Sequence, residues 1–471
     1  MRSEHLNKKY IAIIISCIIA SYLPYFRNTF GIDTEYMILD SERQINSWLT
    51  IHRYGLVALS HLFSPYNNLI VPFVVVALLC LSGILFFYIL EKKEPHKQSL
   101  HRLIFVIIFI CNPFMYAQFY FKLQAIPVAL CFFLIMVACF LFEKSFKFSV
   151  LIASLIFALS FSVYQTFLFF TISLMLFFIC IGKGNRKVVF FQWFISIGIG
   201  GVLYLLGLFY FSAPTLTLGN GYGTHFINWG SGDLISQTIS GGMFGIVLGV
   251  SYLLLIIAIF VVAILSIRKK DTETFLLVLF GASFLIAPLL FGNLLLPSRM
   301  IFATFSIVFG GLVYIIASRF PKYKFVYIAI AVLLMAMTSL QIVRANMSYE
   351  SDKRLVAEIV LSLNEAGVSE QDFPDYYLYF IGNYRENDRS LMERALNILL
   401  IGNTQLSFFQ FDHYSITGRP YRFLATQGYH FGVPSSEGRS AVNSTFYFLP
   451  NFPEEDSIFI DGNMIVIKLS D

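Results

Sequence analysis

From Tyr10 to Ile342 the chain is a succession of charge-poor apolar runs, at roughly 10–26, 68–90, 103–119, 125–142, 148–163, 165–182, 188–212, 238–266, 273–291, 299–318 and 323–342. A helix needs about 20 residues to cross the hydrocarbon core of a bilayer, with a range of about 17–25. Most of these runs have that size. Composition agrees: 57% of the 471 residues are hydrophobic and 13% are charged, whereas ordinary globular domains are about 25% charged. A soluble protein with several cores is excluded, and a polytopic α-helical membrane protein is expected.

The block 148–182 is too long for one span and short for two, so charge has to decide how it is used. With the N-terminus cytoplasmic, Arg2, Lys8 and Lys9 lie inside. So do Lys92, Lys93, Lys97 and Arg102; Lys144 and Lys147; Lys183, Arg186 and Lys187; Arg268, Lys269 and Lys270; and Arg319, Lys322 and Lys324. The outer loops between spans keep only Arg27, Arg43, Arg53, Lys122 and Arg299. This sorting obeys the positive-inside rule only if 148–182 is a hairpin turning near Ser162–Gln165. The expectation is about 11 transmembrane helices, N-terminus in and C-terminus out. The N-terminal segment has the basic-then-apolar shape of a signal but no clear cleavage site, so it reads as a retained anchor. The net charge of +5 reports this segregation rather than affinity for nucleic acid.

Two parts fall outside the bilayer in this scheme. The first is the loop 27–67, which belongs to a membrane region 1–343. The second is the tail 344–471, which carries 17 of the 28 acidic residues and no run long enough to span. Its "SDKRLVAEIVLSLNEAG" has helical spacing with a glycine stop, "DYYLYFIGNY" reads as a strand, and "SLMERALNILLIG" reads as a helix. "SIFIDGNMIVIKLS" places two β-rich runs around Asp461-Gly462-Asn463, a hairpin signal. A small extracytoplasmic α/β domain is expected there. The six cysteines all lie in or beside apolar runs without ligand spacing and read as small buried hydrophobes.

Chemistry concentrates in the first outer loop. "RNTFGIDTEYMILDSER", residues 27–43, puts Asp33, Glu35, Asp40 and Glu42 just past the first apolar run. Carboxylates beside a bilayer are either solvated surface or chemistry. Asp33 and Glu35 would share one face in extended backbone. The amphipathic stretch after them, with Trp48 and Tyr54 around His52 and Arg53, suits the bilayer surface. Among the outer cations, Arg299 in "LLLPSRMIF" has a planar fork suited to a phosphate diester. Lys122 sits among Tyr116, Tyr120 and Phe121, either as a snorkelling lysine or as a phosphate ligand. Tyr164 and Gln165 form a polar pair at the expected hairpin tip, equally readable as a turn. The Gly-rich loop 213–233, with His225, Asn228, Trp229 and Asp233, would suit carbohydrate or be plain flexible chain. There is no Walker A motif, dinucleotide fingerprint or zinc spacing, which argues against an ATP-driven pump.

These residues bear a resemblance. The acidic "GIDTE" after the first span resembles the GT-C class of membrane glycosyltransferases. More narrowly, "LSFSVYQTFLFF", "LLLPSRMIF", "ANMSYESDKRLVAEIV" and "FPEEDSIFIDGNMIVIKLSD" are similar, in order along the chain, to the serotype-converting O-antigen glucosyltransferases of Gtr type. The Asp-Thr-Glu motif departs from the adjacent acidic pair of many relatives. The resemblance implies transfer of one sugar, glucose in that family, from a polyprenyl-phosphate donor to a cell-surface polysaccharide or its lipid-linked precursor. It implies a site on the outer face of the bacterial cytoplasmic membrane, with a donor-synthesising enzyme and a flippase as partners. Asp33 or Glu35 is the candidate base, and Arg299, then Lys122 and Arg53, are candidates for the donor phosphate. Tyr164, Gln165, His225 and Trp229 are candidates for sugar or acceptor. No cofactor is required; the acidic loop is compatible with a divalent metal, but its spacing demands none.

Three other classes compete. A transporter or flippase of lipid-linked sugars would place ionisable or broken segments at mid-membrane, whereas the polar residues here crowd the outer face. An O-antigen polymerase or ligase would carry its outer mass between late spans. In a non-catalytic scaffold the carboxylates would be incidental.

Overall fold

A computed structural model describes residues 2–63, 69–94, 99–144, 147–182, 186–211, 257, 264, 272–286, 298–384, 407–411 and 418–470. Its helices are α1 (Arg2–Tyr22), α2 (Thr34–Leu39), α3 (Ser41–Thr50), α4 (Tyr54–Phe63), α5 (Ile70–Lys93), α6 (Ser99–Ile110), α7 (Pro113–Phe119), α8 (Lys122–Glu143), α9 (Ser149–Val163), α10 (Phe167–Ile181) and α11 (Arg186–Phe211). They continue with α12 (Thr272–Ala282), α13 (Ser298–Arg319) and α14 (Lys324–Glu365), then α15 (Phe408–Phe411), α16 (Arg419–Thr426) and α17 (Ser436–Thr445). The strands are β1 (Tyr377–Ile381), β2 (Ile458–Asp461) and β3 (Met464–Lys468). Seven helices among the described residues are long and apolar enough to cross a bilayer, and the chain is a polytopic helical membrane protein.

The block 148–182 does divide. α9 ends at Val163, Tyr164 takes an extended conformation, and α10 starts at Phe167. The run 103–119, expected as one helix, is two. Asn112 stops α6 and caps α7, its side-chain oxygen accepting from the amides of Phe114 and Met115 while its amide donates to the carbonyls of Ile108 and Phe109. Pro113 then occupies the first position of the new helix, where its missing N–H does no harm. The last apolar run and "SDKRLVAEIVLSLNE" form one helix, α14, because no proline or glycine interrupts them. Gly367, at φ 87°, follows its end. Apart from residues 257 and 264, the run 238–266 lies outside the described residues, as does the segment "SLMERALNILLIG".

The chain divides into two compact units. One contains residues 1–27, 45–342 and 397–402, and the other 28–44, 343–396 and 403–471. Residues 28–44 thus group with the C-terminal part, whereas the sequence alone placed the whole loop 27–67 with the membrane region.

The first unit packs around phenylalanine. Phe105 stacks on Phe177 with ring centres 5.2 Å apart, and Phe86 and Tyr314 pack against Phe105. Trp193 of α11 lies against Phe142, Phe157 and Phe178. Offset and edge-on pairs of this kind stabilise by about 0.5–1.5 kcal/mol each beyond simple burial.

In the second unit β3 is the middle strand, parallel to β1 and antiparallel to β2. The β2–β3 hairpin closes through Gly462 at φ 55°, the turn that Asp461-Gly462-Asn463 foretold. Ile381, Val442, Leu449 and Val466 form the core between the sheet and α17. A second core gathers Phe30, Tyr349, Phe408 and Phe423 around the N-terminal piece of this unit.

Candidate active site

Asp33 stands at the N-cap of α2 with φ 74°, in the left-handed region, so it and Glu35 do not lie on extended backbone as the sequence suggested. Aspartate tolerates this conformation better than most residues, at a cost of about 1 kcal/mol. An N-cap aspartate normally accepts from the amides of the first helical turn. Asp33 makes no such bond; its carboxylate is turned to Arg419 instead. Arg419 Nη2 donates to Asp33 Oδ1 over 2.6 Å, and Nη1 donates to Glu35 Oε1 over 2.8 Å. One guanidinium thus spans two carboxylates in charge-assisted bonds.

The two acids differ in exposure. The Asp33 side chain is 31% exposed and that of Glu35 is 0% exposed. Asp33 Oδ2 has no hydrogen-bond partner among the described residues and can face solvent. Glu35 Oε2 and the neighbouring Thr34 Oγ1 are buried without partners there. Burial pushes the Glu35 carboxyl up to about 8; Arg419 opposes this and Asp33 adds to it. Burial works against the charge on Arg419, but the Asp33 and Glu35 carboxylates outweigh it and hold the guanidinium protonated. Tyr36 lies beside this pair, its ring centre 3.8 Å from the guanidinium of Arg422. Asp40 serves the backbone instead, its Oδ1 accepting from the amide of Arg43 at the start of α3. Glu42 is exposed.

Arg419 and Arg422 were not singled out in the sequence. Their three-residue spacing in "RPYRF" puts them on one face of α16, but they are two of eight arginines in the tail 344–471 and do not stand out there. Nothing local pairs them with Asp33, 386 residues away.

The first unit holds the other candidates. Arg53 follows the α3–α4 turn, where His52 takes φ 63°. Its guanidinium lies 4.5 Å from the ring centre of Tyr164, and Nη1 donates to Gln124 Oε1 over 3.2 Å. The Tyr164 hydroxyl donates to the carbonyl of Arg299 over 3.2 Å. The Arg299 guanidinium sits 4.6 Å from the centre of the Phe121 ring. Lys122, expected in an outer turn, is buried at the start of α8; it donates to the Arg27 carbonyl and lies 5.0 Å from the Tyr25 ring centre. Gln165 donates to the carbonyls of Ile51 and His52, holding the turn before Arg53. The cations Arg53 and Arg299 are therefore linked through one tyrosine, and aromatic faces carry all three cationic heads. His225 and Trp229 lie outside the described residues. Among those residues no group of three or more His, Cys, Asp or Glu is placed to hold a metal ion.

No curated protein and no solved structure matches the chain. One family model does, over residues 22–224, a stretch that includes Asp33, Glu35, Arg53, Lys122, Tyr164 and Gln165. That family is described as glucosyl transferase GtrII, so residues 22–224 are similar to it, in agreement with the Gtr-type resemblance read from the sequence.

Proposed function

We propose that this protein transfers a single sugar, glucose by family, from a polyprenyl-phosphate donor to a cell-surface polysaccharide or its lipid-linked precursor. Transfer takes place on the outer face of the bacterial cytoplasmic membrane, in a chain of about 11 spans with its N-terminus inside. The charge segregation along the sequence supports that orientation. The observation that carries the reading is the partly exposed Asp33 carboxylate, declined as a helix cap and held by Arg419, within the stretch that matches the glucosyl transferase family.

The donor already has a good leaving group, so two contributions suffice. A base takes the proton of the acceptor hydroxyl as its oxygen bonds to the anomeric carbon, typically contributing about 10²–10⁴-fold. Positive charge receives the electron pair when the bond from that carbon to the phosphate oxygen breaks and polyprenyl phosphate departs. Asp33 is the base, since Oδ2 is accessible and Glu35 is fully buried. Arg299, Arg53 and Lys122 hold the phosphate, and no cofactor takes part. A donor-synthesising enzyme and a flippase supply the substrate.

The test is transfer of labelled glucose from polyprenyl phosphate to purified acceptor in detergent. Wild-type protein is expected to transfer it and Asp33→Asn to lose transfer while remaining in the membrane. Equal rates in the two proteins would remove Asp33 from the chemistry.

A further inference from the structure

The resting geometry assigns Arg419 a part in the reaction that its distance from the family-matched stretch conceals: we propose that it is a positioning residue for the acidic motif. This rests on the reading of Asp33 as the base. An N-cap aspartate left to itself turns its oxygens onto the amides of its own helix, where they are occupied and point away from substrate. Arg419 removes that option by taking Oδ1 over 2.6 Å, and Oδ2 is left to accept a proton.

A lysine could neutralise Asp33, but it is a single point charge and cannot reach two carboxylates in fixed directions. The guanidinium fork does so, with Nη1 on Glu35 and Nη2 on Asp33. Glu35 is the anchor of the arrangement, because a 0% exposed side chain has no freedom to drift. Tyr36, next to Glu35, carries Arg422 over its face, so α16 grips α2 at two points one helical turn apart. Such support is what separates a carboxylate placed for catalysis from one merely nearby; displacements of about 1 Å cost on the order of 10²-fold in rate. The matched stretch ends at residue 224, so the C-terminal segment supplies a working part of the site.

The experiment compares Arg419→Gln, Arg419→Lys and wild type, each alone and in an Asp33→Asn background. A positioning role predicts that R419Q lowers kcat about 100-fold with donor and acceptor KM within about threefold, and that R419K recovers about tenfold of that loss. In the Asp33→Asn background R419Q is expected to reduce the residual rate by less than about twofold, because the residue through which it acts is already gone. A merely structural arginine would lower the residual rate by its full factor there. Infrared titration of the protonated carboxyl band, assigned with Glu35→Gln, supplies a readout independent of turnover: in R419Q the Glu35 band persists to higher pH than in wild type. The proposal is overturned by a fully multiplicative loss with D33N or by a Glu35 band that does not move. If wild type itself transfers no sugar, the functional reading falls, and the infrared titration still decides whether Arg419 governs the motif. Should R419Q fail to accumulate, R419K carries the same comparisons.

Discussion

Tyr164 holds two arginines at once: Arg53 lies over its ring at 4.5 Å, and its hydroxyl donates to the backbone carbonyl of Arg299. The ring and the hydroxyl can be removed separately. Tyr164→Phe keeps the stack and is expected to raise the donor KM by about threefold, the scale of one neutral hydrogen bond. Tyr164→Ala removes both supports and should raise it by about 10- to 30-fold, with the cation–π contact adding its share. Steady-state kinetics against polyprenyl-phosphate glucose checks this; a larger effect on kcat than on KM would place Tyr164 elsewhere in the mechanism.

Asp33 and Glu35 are distinguished by substitution. Asp33→Asn keeps the size and the tolerance of φ 74° but cannot accept a proton, so transfer should fall by about 10²–10⁴-fold. Glu35→Gln keeps an acceptor for Arg419 and should cost only about tenfold. Reversed sensitivities would make Glu35 the base.

Stability should depend on pH through Glu35. Its carboxyl rises from the ordinary 4.5 to about 8 on folding because it is buried, so the folded state binds the proton more tightly than the unfolded chain. The associated stability is fully present below the unfolded value and is lost as pH rises through about 8. Melting of the detergent-solubilised protein is therefore expected to drop as pH rises from about 4.5 to about 8, and to change no further through this group above that. Glu35→Gln should lessen that drop, and an identical pH dependence in both proteins would refute the assignment.

Asp352, 0% exposed on α14, accepts from the Ser407 hydroxyl over 2.6 Å and from the Phe408 amide over 2.8 Å. Asp352→Ala leaves both donors buried without their partner, a loss of about 2–4 kcal/mol. Asp352→Asn keeps one acceptor and should lose about half of that. Limited proteolysis near residue 407, faster in the alanine variant than in the asparagine variant and slowest in wild type, is the expected order.

The apolar runs were legible because a bilayer demands length and charge exclusion together, and α5, α8, α11 and α13 begin and end close to where they were expected. The break at Asn112-Pro113 was harder: both flanks are equally apolar, and only a side chain that caps in both directions divides them. Asp33 and Glu35 announced themselves through isolation, as carboxylates at the exit of an apolar segment. Their shared face came from a left-handed cap rather than from a strand, since a single positive φ has no hydrophobic pattern to reveal it. Arg419 was invisible because an ion pair between residues 386 positions apart leaves no periodicity in either place. Lys122 read as a snorkelling lysine or a phosphate ligand in an outer turn, and a tyrosine face and a backbone carbonyl receive it within the protein.

The order of the sheet has a consequence for timing. β3 is flanked by β1 and β2, so the central strand is the last of the three to leave the ribosome. Until Met464–Lys468 has been made, β1 has only the single bridge from Tyr377 to Gly432 among the described residues, and β2 has no partner in its hairpin. Domains tend to fold as units, and the unit containing this sheet also contains Asp33, Glu35 and Arg419. Synthesis thus gives the acidic motif its arginine long after the motif itself has emerged.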